Sequence, residues 1–158
     1  MGAASRTRHP DGKSMSHQYA ARIVAVVVAY EREELLAEAL QALVASDPPL
    51  AAVVVVDNAS IDGTARVARD AGPLIDLVTL TRNTGGAGGF AAGIAWALEH
   101  HDPEWLWLMD DDTIPTPSAA AELVRAATST RAVVAGSRVM WTDGSDHPMN
   151  TPRRKPFA

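Results

Sequence analysis

The 158-residue chain has no cysteine, which excludes a disulfide framework, a thiolate metal site and a cysteine nucleophile. It has no basic excess either. Fourteen Lys plus Arg stand against nineteen Asp plus Glu, a formal net charge of −5, which argues against nucleic acid as a partner held on a broad basic face and suits a bound divalent cation. Long apolar runs are also missing. The first run, Ile23 to Ala29, is followed at once by Glu31, Arg32, Glu33 and Glu34, and is too short for a membrane span or a secretory h-region. The expectation is no transmembrane segment and a cytoplasmic location, with any membrane association peripheral at the inner face. Neither an internal repeat nor a low-complexity tract is present.

The composition, 47% hydrophobic and 21% charged, is that of a globular chain long enough to bury one core. Residues 1–21 are polar and aperiodic, with Pro10, Gly12 and several Ser, and read as a disordered tail. Residues 22–158 read as one domain. Short, nearly continuous apolar runs occur at Ile23 to Val28, Val53 to Val56, Leu77 to Leu80, Trp105 to Met109 and Ala132 to Ala135, the pattern of strands buried on both faces. Helical stripes lie between them. Leu36, Ala39, Leu40, Leu43 and Val44 share one face, ahead of Pro48 and Pro49; Phe90, Ile94, Ala97 and Leu98 share another; Ala120, Leu123, Val124 and Ala127 form a third, with Pro117 placed for a first turn. Ala65, Ala68 and Ala71 make a weaker helix. Strand and helix in alternation predict an α/β fold, a mainly parallel sheet with helices on both faces.

Ligands of such sheets bind beyond the carboxyl ends of the strands. The first run ends in Ala29-Tyr30-Glu31, the second in Asp57-Asn58-Ala59-Ser60, the third in Arg82-Asn83 with Gly85-Gly86-Ala87-Gly88-Gly89 after it, and the fourth in Asp110-Asp111-Asp112. Two carboxylates about 5 Å apart repel by about 3 kcal/mol at an effective dielectric near 20, so three in a row call for a cation. A hard divalent ion holding a diphosphate meets that need; a solvated acidic turn or a helix N-cap near Thr113 is the plainer alternative. Asp57 can accept an N–H from a base or a ribose hydroxyl, or cap its own turn. Asp62, before Gly63, reads as turn chemistry. The glycines can let backbone N–H groups approach a pyrophosphate, or pack a small-residue helix on the sheet. Gly86-x-Gly88-x-x-Ala91 also fits a dinucleotide fingerprint literally, although Arg82-Asn83-Thr84 separate it from its strand. Trp96, Trp105 and Trp107 read as core, and His100 and His101 as a helix end. Trp141 to His147 either reaches the site or forms an exposed turn.

Val26-Val27-Val28-Ala29-Tyr30, Val54-Val55-Val56-Asp57-Asn58-Ala59-Ser60-x-Asp62-Gly63-Thr64, Asn83-x-Gly85-Gly86-Ala87-Gly88-Gly89-Phe90 and Trp107-Leu108-Met109-Asp110-Asp111-Asp112 together resemble the ordered motifs of family 2 glycosyltransferases with the GT-A fold. The resemblance covers about Arg22 to Arg138 and is nearest to galactofuranosyltransferases and rhamnosyltransferase-like enzymes of bacterial cell-surface glycans. It implies a UDP-sugar donor, a Mg or Mn ion, and a glycan or lipid-linked acceptor. By that resemblance Ala29, Tyr30 and Glu31 line the uracil pocket, Asp57 bonds the base, and Asn83, Gly85 and Gly86 lie near ribose and diphosphate. Asp110 and Asp112 serve the metal, and Asp111 the donor sugar or ribose. Glu31 stands where many relatives carry Asn. The general base of inverting relatives lies roughly a hundred residues beyond the acidic motif by the same resemblance. Only 46 residues follow Asp112, counting 158 − 112. Asp143 and Asp146 match no motif, so the expectation is an incomplete GT-A domain without its acceptor half. Two other readings stand beside this one, a non-catalytic sugar-nucleotide-binding module and a NAD-dependent oxidoreductase.

Overall fold

The computed structural model describes residues 21–146. All of the expected N-terminal tail but Ala21 therefore lies outside the described residues. Eight elements alternate along the described residues: β1 (Ile23–Ala29), α1 (Glu33–Val44), β2 (Ala52–Asp57), α2 (Thr64–Asp70), β3 (Ile75–Thr79), α3 (Gly85–His100), β4 (Trp105–Asp110) and α4 (Ala119–Thr130). The four strands form one parallel sheet in the order β3-β2-β1-β4.

The central strands β1 and β2 are buried along their whole length. Their runs of Val and Ile suit this position, since β-branched side chains pack well on a pleated surface covered on both sides. Alternate residues serve two cores. Ala25, Val27, Val53 and Val55 pack with Leu36, Leu40 and Leu43 of α1, Ala68 of α2 and Ala120 of α4. Val24, Val26, Val54 and Val56 pack under α3 with Ala97, Phe90 and Trp96. Three helices thus cover one face and α3 covers the other, which confirms the layered α/β architecture.

The α3 contact keeps Phe90 and Ala97 of the expected stripe and differs in the rest. Its buried positions are Gly89, Gly93 and Ala97, while Leu98 is 58% exposed. A Cβ on Gly89 would stand 2.6 Å from Val28 Cγ1, and one on Gly93 would stand 2.8 Å from Val56 Cγ2. The helix backbone lies directly on the valines, and a larger side chain there would push it away. Val44, also expected on a buried stripe, is exposed at the end of α1.

The fifth apolar run forms no strand. Residues 132–135 are irregular, with Val133 and Val134 almost fully exposed. A strand needs a ladder partner, and β4 is hydrogen-bonded on its β1 side only among the described residues. Between the outer side of β4, α4 and this segment lies a cleft of about 310 Å³, lined by Trp105, Trp107, Leu123, Val124 and Val133 among others. It carries no charged side chain. Among the described residues no helix is long and apolar enough to cross a membrane.

Candidate functional site

The polar site is built at the carboxyl ends of the strands. Register places Asp57 beside Ala29 and Asp110 beside Val28, so the two ladders of β1 deliver both acids to the same edge. The edge has a break in connectivity. The crossovers from β1 and β2 run over the face covered by α1 and α2, whereas α3 carries the chain over the other face to β4 on the far side of β1. The loops after β1 and β4 meet at this break, the position at which open α/β sheets bind ligands.

Hydrogen bonds from β2's loop hold the loop after β1 in place. Asp57 is 1% exposed, and its Oδ1 accepts the Ser60 N–H at 2.9 Å. Ser60 Oγ accepts the Glu31 N–H at 3.0 Å, and Thr64 Oγ1 accepts that of Arg32 at 3.2 Å. Asp62 accepts from Thr64 N at 3.0 Å and from Glu33 N at 3.3 Å. The Thr64 side chain, ahead of the N–H groups of Thr64 and Glu33, is the main cause that holds the Asp62 carboxyl below its ordinary range. These contacts supply acceptors to α1, which has no side-chain cap of its own. Glu31 and Ala59 take positive φ, 51° and 67°, a conformation costly for residues with a Cβ and held here by the surrounding bonds.

Asn58, 2% exposed, ties β2 to the glycine segment. Its Nδ2 donates to Asn83 Oδ1 at 3.1 Å and to the Gly85 carbonyl at 3.2 Å, while its Oδ1 accepts from Thr84 N at 2.9 Å and Thr84 Oγ1 at 3.2 Å. Asn83 Oδ1 also accepts the Gly85 N–H at 2.8 Å. Gly85 has φ +71°, and neither Gly85 nor Gly86 has an atom within 4 Å of where a Cβ would stand. The glycine cluster thus divides by task. Gly89 and Gly93 let the helix pack on the sheet, whereas Gly85 and Gly86 leave the N-terminus of α3 open, with first-turn N–H groups that have no intrahelical partner. Gly86 and Gly88 lie inside α3 and follow β3, so they do not form the strand-to-helix turn of a dinucleotide fingerprint.

The three aspartates differ. Asp110 is exposed and its carboxylate has no hydrogen-bond partner among the described residues. Asp111 is 5% exposed; its Oδ2 accepts the Tyr30 N–H at 3.3 Å and its Oδ1 faces Arg32 Nη1 at 3.4 Å. Asp112 is exposed, with Oδ2 2.7 Å from the same Nη1. Burial pushes the Asp111 carboxyl above its ordinary range against the pull of Tyr30 N–H and Arg32, and the charges of Asp112 and Asp110 push the same way. Asp111 first, then Asp112, hold the Arg32 guanidinium still more firmly protonated. The cation that the triple aspartate calls for is in part the protein's own.

The expected rim residues fall on this edge. Ala29 is wholly buried in the core at the end of β1, and its carbonyl accepts the Asn58 N–H at 2.9 Å. Tyr30 and Glu31 are exposed. Asp143, in an exposed turn, spends its carboxylate on Ser145 N and Oγ, and Asp146 pairs with Arg138. Sequence reasoning missed Arg32, a lone cation in an acidic stretch, and the bridging role of Asn58. Only the fold brings their partners, far off along the chain, within reach.

Among the described residues no three acidic or histidine side chains converge closely enough to hold a metal ion by themselves. By their chemistry alone, the carboxylate of Asp110 and the oxygen of Asp112 that Arg32 leaves free are oxygen donors of the type a hard divalent ion takes.

The family model of Glycosyl transferase family 2 matches residues 24–157. The chain belongs to that family, whose members are transferases. It is 39% identical over 93 residues to galactofuranosyltransferase GlfT1 of Mycolicibacterium smegmatis, a match covering 59% of this chain and 30% of that protein. It is 32% identical over 111 residues to the succinoglycan biosynthesis protein ExoO of Rhizobium meliloti, covering 70% and 31%. Among solved structures, mannosyltransferase PcManGT from Pyrobaculum calidifontis, in complex with GDP-Man and Mn2+, superposes with a TM-score of 0.61 at 30% identity over 69% of this chain and 33% of that one. The fold of this family 2 chain is thus GT-A-like. The chain spans about a third of the length of these relatives.

Proposed function

We propose that this chain is the donor-binding part of an inverting family 2 glycosyltransferase, which binds a UDP-sugar together with Mg or Mn at the carboxyl edge of the sheet beside β1 and β4 for transfer to a cell-surface glycan or lipid-linked acceptor. The observation that carries the reading is the joint placement of Asp57, Asp110 and the open N-terminus of α3 along one sheet edge. Tyr30 and Glu31 flank the base, which Asp57 recognises. Asn83, Gly85 and Gly86 face ribose and diphosphate, with first-turn N–H groups as donors. Asp110 and Asp112 hold the ion. When bound, the ion supplies neutralisation of the diphosphate that leaves. Both Asp111 oxygens are engaged by Tyr30 and Arg32, so contact with the donor requires one of these to let go.

Asp143 is a poor general base, because hydrogen bonds from Ser145 hold its carboxyl below the ordinary range. Transfer to an acceptor is assigned to the whole enzyme, and donor binding to these residues. The setting is the cytoplasmic side of the cell, where nucleotide sugars serve as donors.

Calorimetry tests the reading. UDP should bind in the presence of Mn2+ and fail to bind in excess chelator. Asp57→Asn keeps an acceptor for Ser60 N–H but removes the charge, and should weaken UDP by about five- to fiftyfold, the worth of a hydrogen bond to a charged group, with little change in melting. Equal UDP affinity with and without the ion would overturn the metal role, and NAD binding without metal would favour the oxidoreductase.

A further inference from the structure

Arg32 is the cationic side chain that the structure pairs with the acidic rim among the described residues, and one nitrogen, Nη1, serves two carboxylates. The two contacts are unlike. Asp111 presents a side chain only 7% exposed, at 3.4 Å, whereas Asp112 is 48% exposed, at 2.7 Å, and the Arg32 side chain itself is 49% exposed. An exposed ion pair exchanges readily with water and other ions, while removing the partner of a buried carboxylate is costly. The backbone beneath is fixed: Arg32 N–H donates to Thr64 Oγ1, and the preceding residue is held at positive φ by Ser60. The guanidinium is therefore positioned over the rim by the fold, between a buried carboxylate and an exposed one that solvent and other ions can reach.

We propose that Arg32 is a resident counter-cation that competes with the divalent ion for Asp112 and loosens its hold on that carboxylate when the ion binds. The proposal rests on the metal-assisted donor site described above and deepens it. A carboxylate shared between a guanidinium and a divalent ion carries two mutually repelling cations, so each weakens the other's hold. The consequence is an order of binding. The ion alone meets an already neutralised Asp112 and binds weakly. An ion accompanied by a diphosphate brings compensating negative charge, and the loosened guanidinium keeps its place beside Asp111.

The test is Mn2+ binding without nucleotide, read from the free-ion signal in electron paramagnetic resonance, on the parent chain, Arg32→Gln and Arg32→Lys. Gln keeps a donor for Asp111 and removes the charge. Arg32→Gln should bind Mn2+ about tenfold more tightly than the parent, and Arg32→Lys, which keeps the charge, should stay within about threefold of it, a coupling of ordinary size between competing ligands. Should Arg32→Gln fail to fold, the parent answers alone: the Arg32 Nε–H resonance should shift on Mg2+ addition, saturating with the ion. An Arg32→Gln affinity equal to the parent's, or an unmoved resonance while Mg2+ and UDP together still bind, would overturn the proposal and leave the donor site standing. Absence of Mn2+ binding to every variant, with or without UDP, would instead remove the donor-site reading and this proposal with it.

Discussion

Asn58 shows how much one buried side chain can organise. Its amide makes contacts with Asn83, Thr84 and Gly85, so both its donor and its acceptor are satisfied inside the protein. Asn58→Ala leaves several of those groups without partners and should cost about 1–3 kcal/mol. A lower melting temperature, together with a loss of UDP affinity larger than that of the folded fraction, is the expected result. The sequence places Asn58 in a motif without revealing this role, since its partners lie some 25 residues away along the chain. A second residue-scale device lies at the opposite end of the sheet. Asp76 accepts Trp96 Nε1–H at 2.9 Å and faces His101 Nε2 at 2.7 Å. Burial raises its pKa, but the hydrogen bonds from Trp96 and His101 and the nearby histidine charges outweigh burial and leave it below the ordinary value. A carboxyl depressed in the folded state contributes stability above its unfolded pKa of about 4 and loses it as pH falls through the folded value. Melting from pH 6 down to pH 3 should therefore fall more steeply for the parent than for Asp76→Asn, and parallel curves would contradict this.

Among the elements, β1 and β2 were the most legible, because uninterrupted Val and Ile leave little but a strand covered on both faces. Helix α1 was nearly as clear from its leucine spacing. Helix α3 was legible as a helix and only in part in its orientation. Hydrophobic periodicity points to Phe90, Ile94, Ala97 and Leu98, of which Ala97 and Phe90 pack toward the sheet and Leu98 does not, whereas the closest approach is made at Gly89 and Gly93, which carry no apolar side chain to be counted. The fifth run, Ala132 to Ala135, has strand composition but pairs with no strand among the described residues, although the outer side of β4 faces it across the cleft. The glycine division gives a paired prediction. Gly93→Ala places a methyl against Val26 and Val56 and should destabilise by about 1–3 kcal/mol through overpacking. Gly86→Ala meets open space within the helix and should melt at or slightly above the parent, by about 1 kcal/mol at most. Thermal melts of the two variants check both signs; a neutral Gly93→Ala would mean that α3 sits farther from the sheet.

At the scale of the whole molecule, the site follows from topology more than from any single motif. The order β3-β2-β1-β4, with α3 alone on its face, places a connectivity break beside β1, and the acids of the second and fourth strands reach the same edge because the parallel register aligns their ends. Sequence motifs identified the loops that meet there, but the internal cation at Arg32 and the sealing of Asp111 depend on how closely the β1 and β4 loops approach. The central claim, that this edge binds a nucleotide diphosphate with a divalent ion, is tested most directly by amide NMR of the 158-residue chain with UDP, adding Mn2+ to broaden nearby signals. Broadening should centre on Asp110 to Thr113, extend to Tyr30 to Arg32 and to Gly85 and Gly86, and spare Asp76 and His101 at the far end of the sheet. Broadening centred on the far end, or none at all with UDP and Mn2+ in excess, would contradict the account.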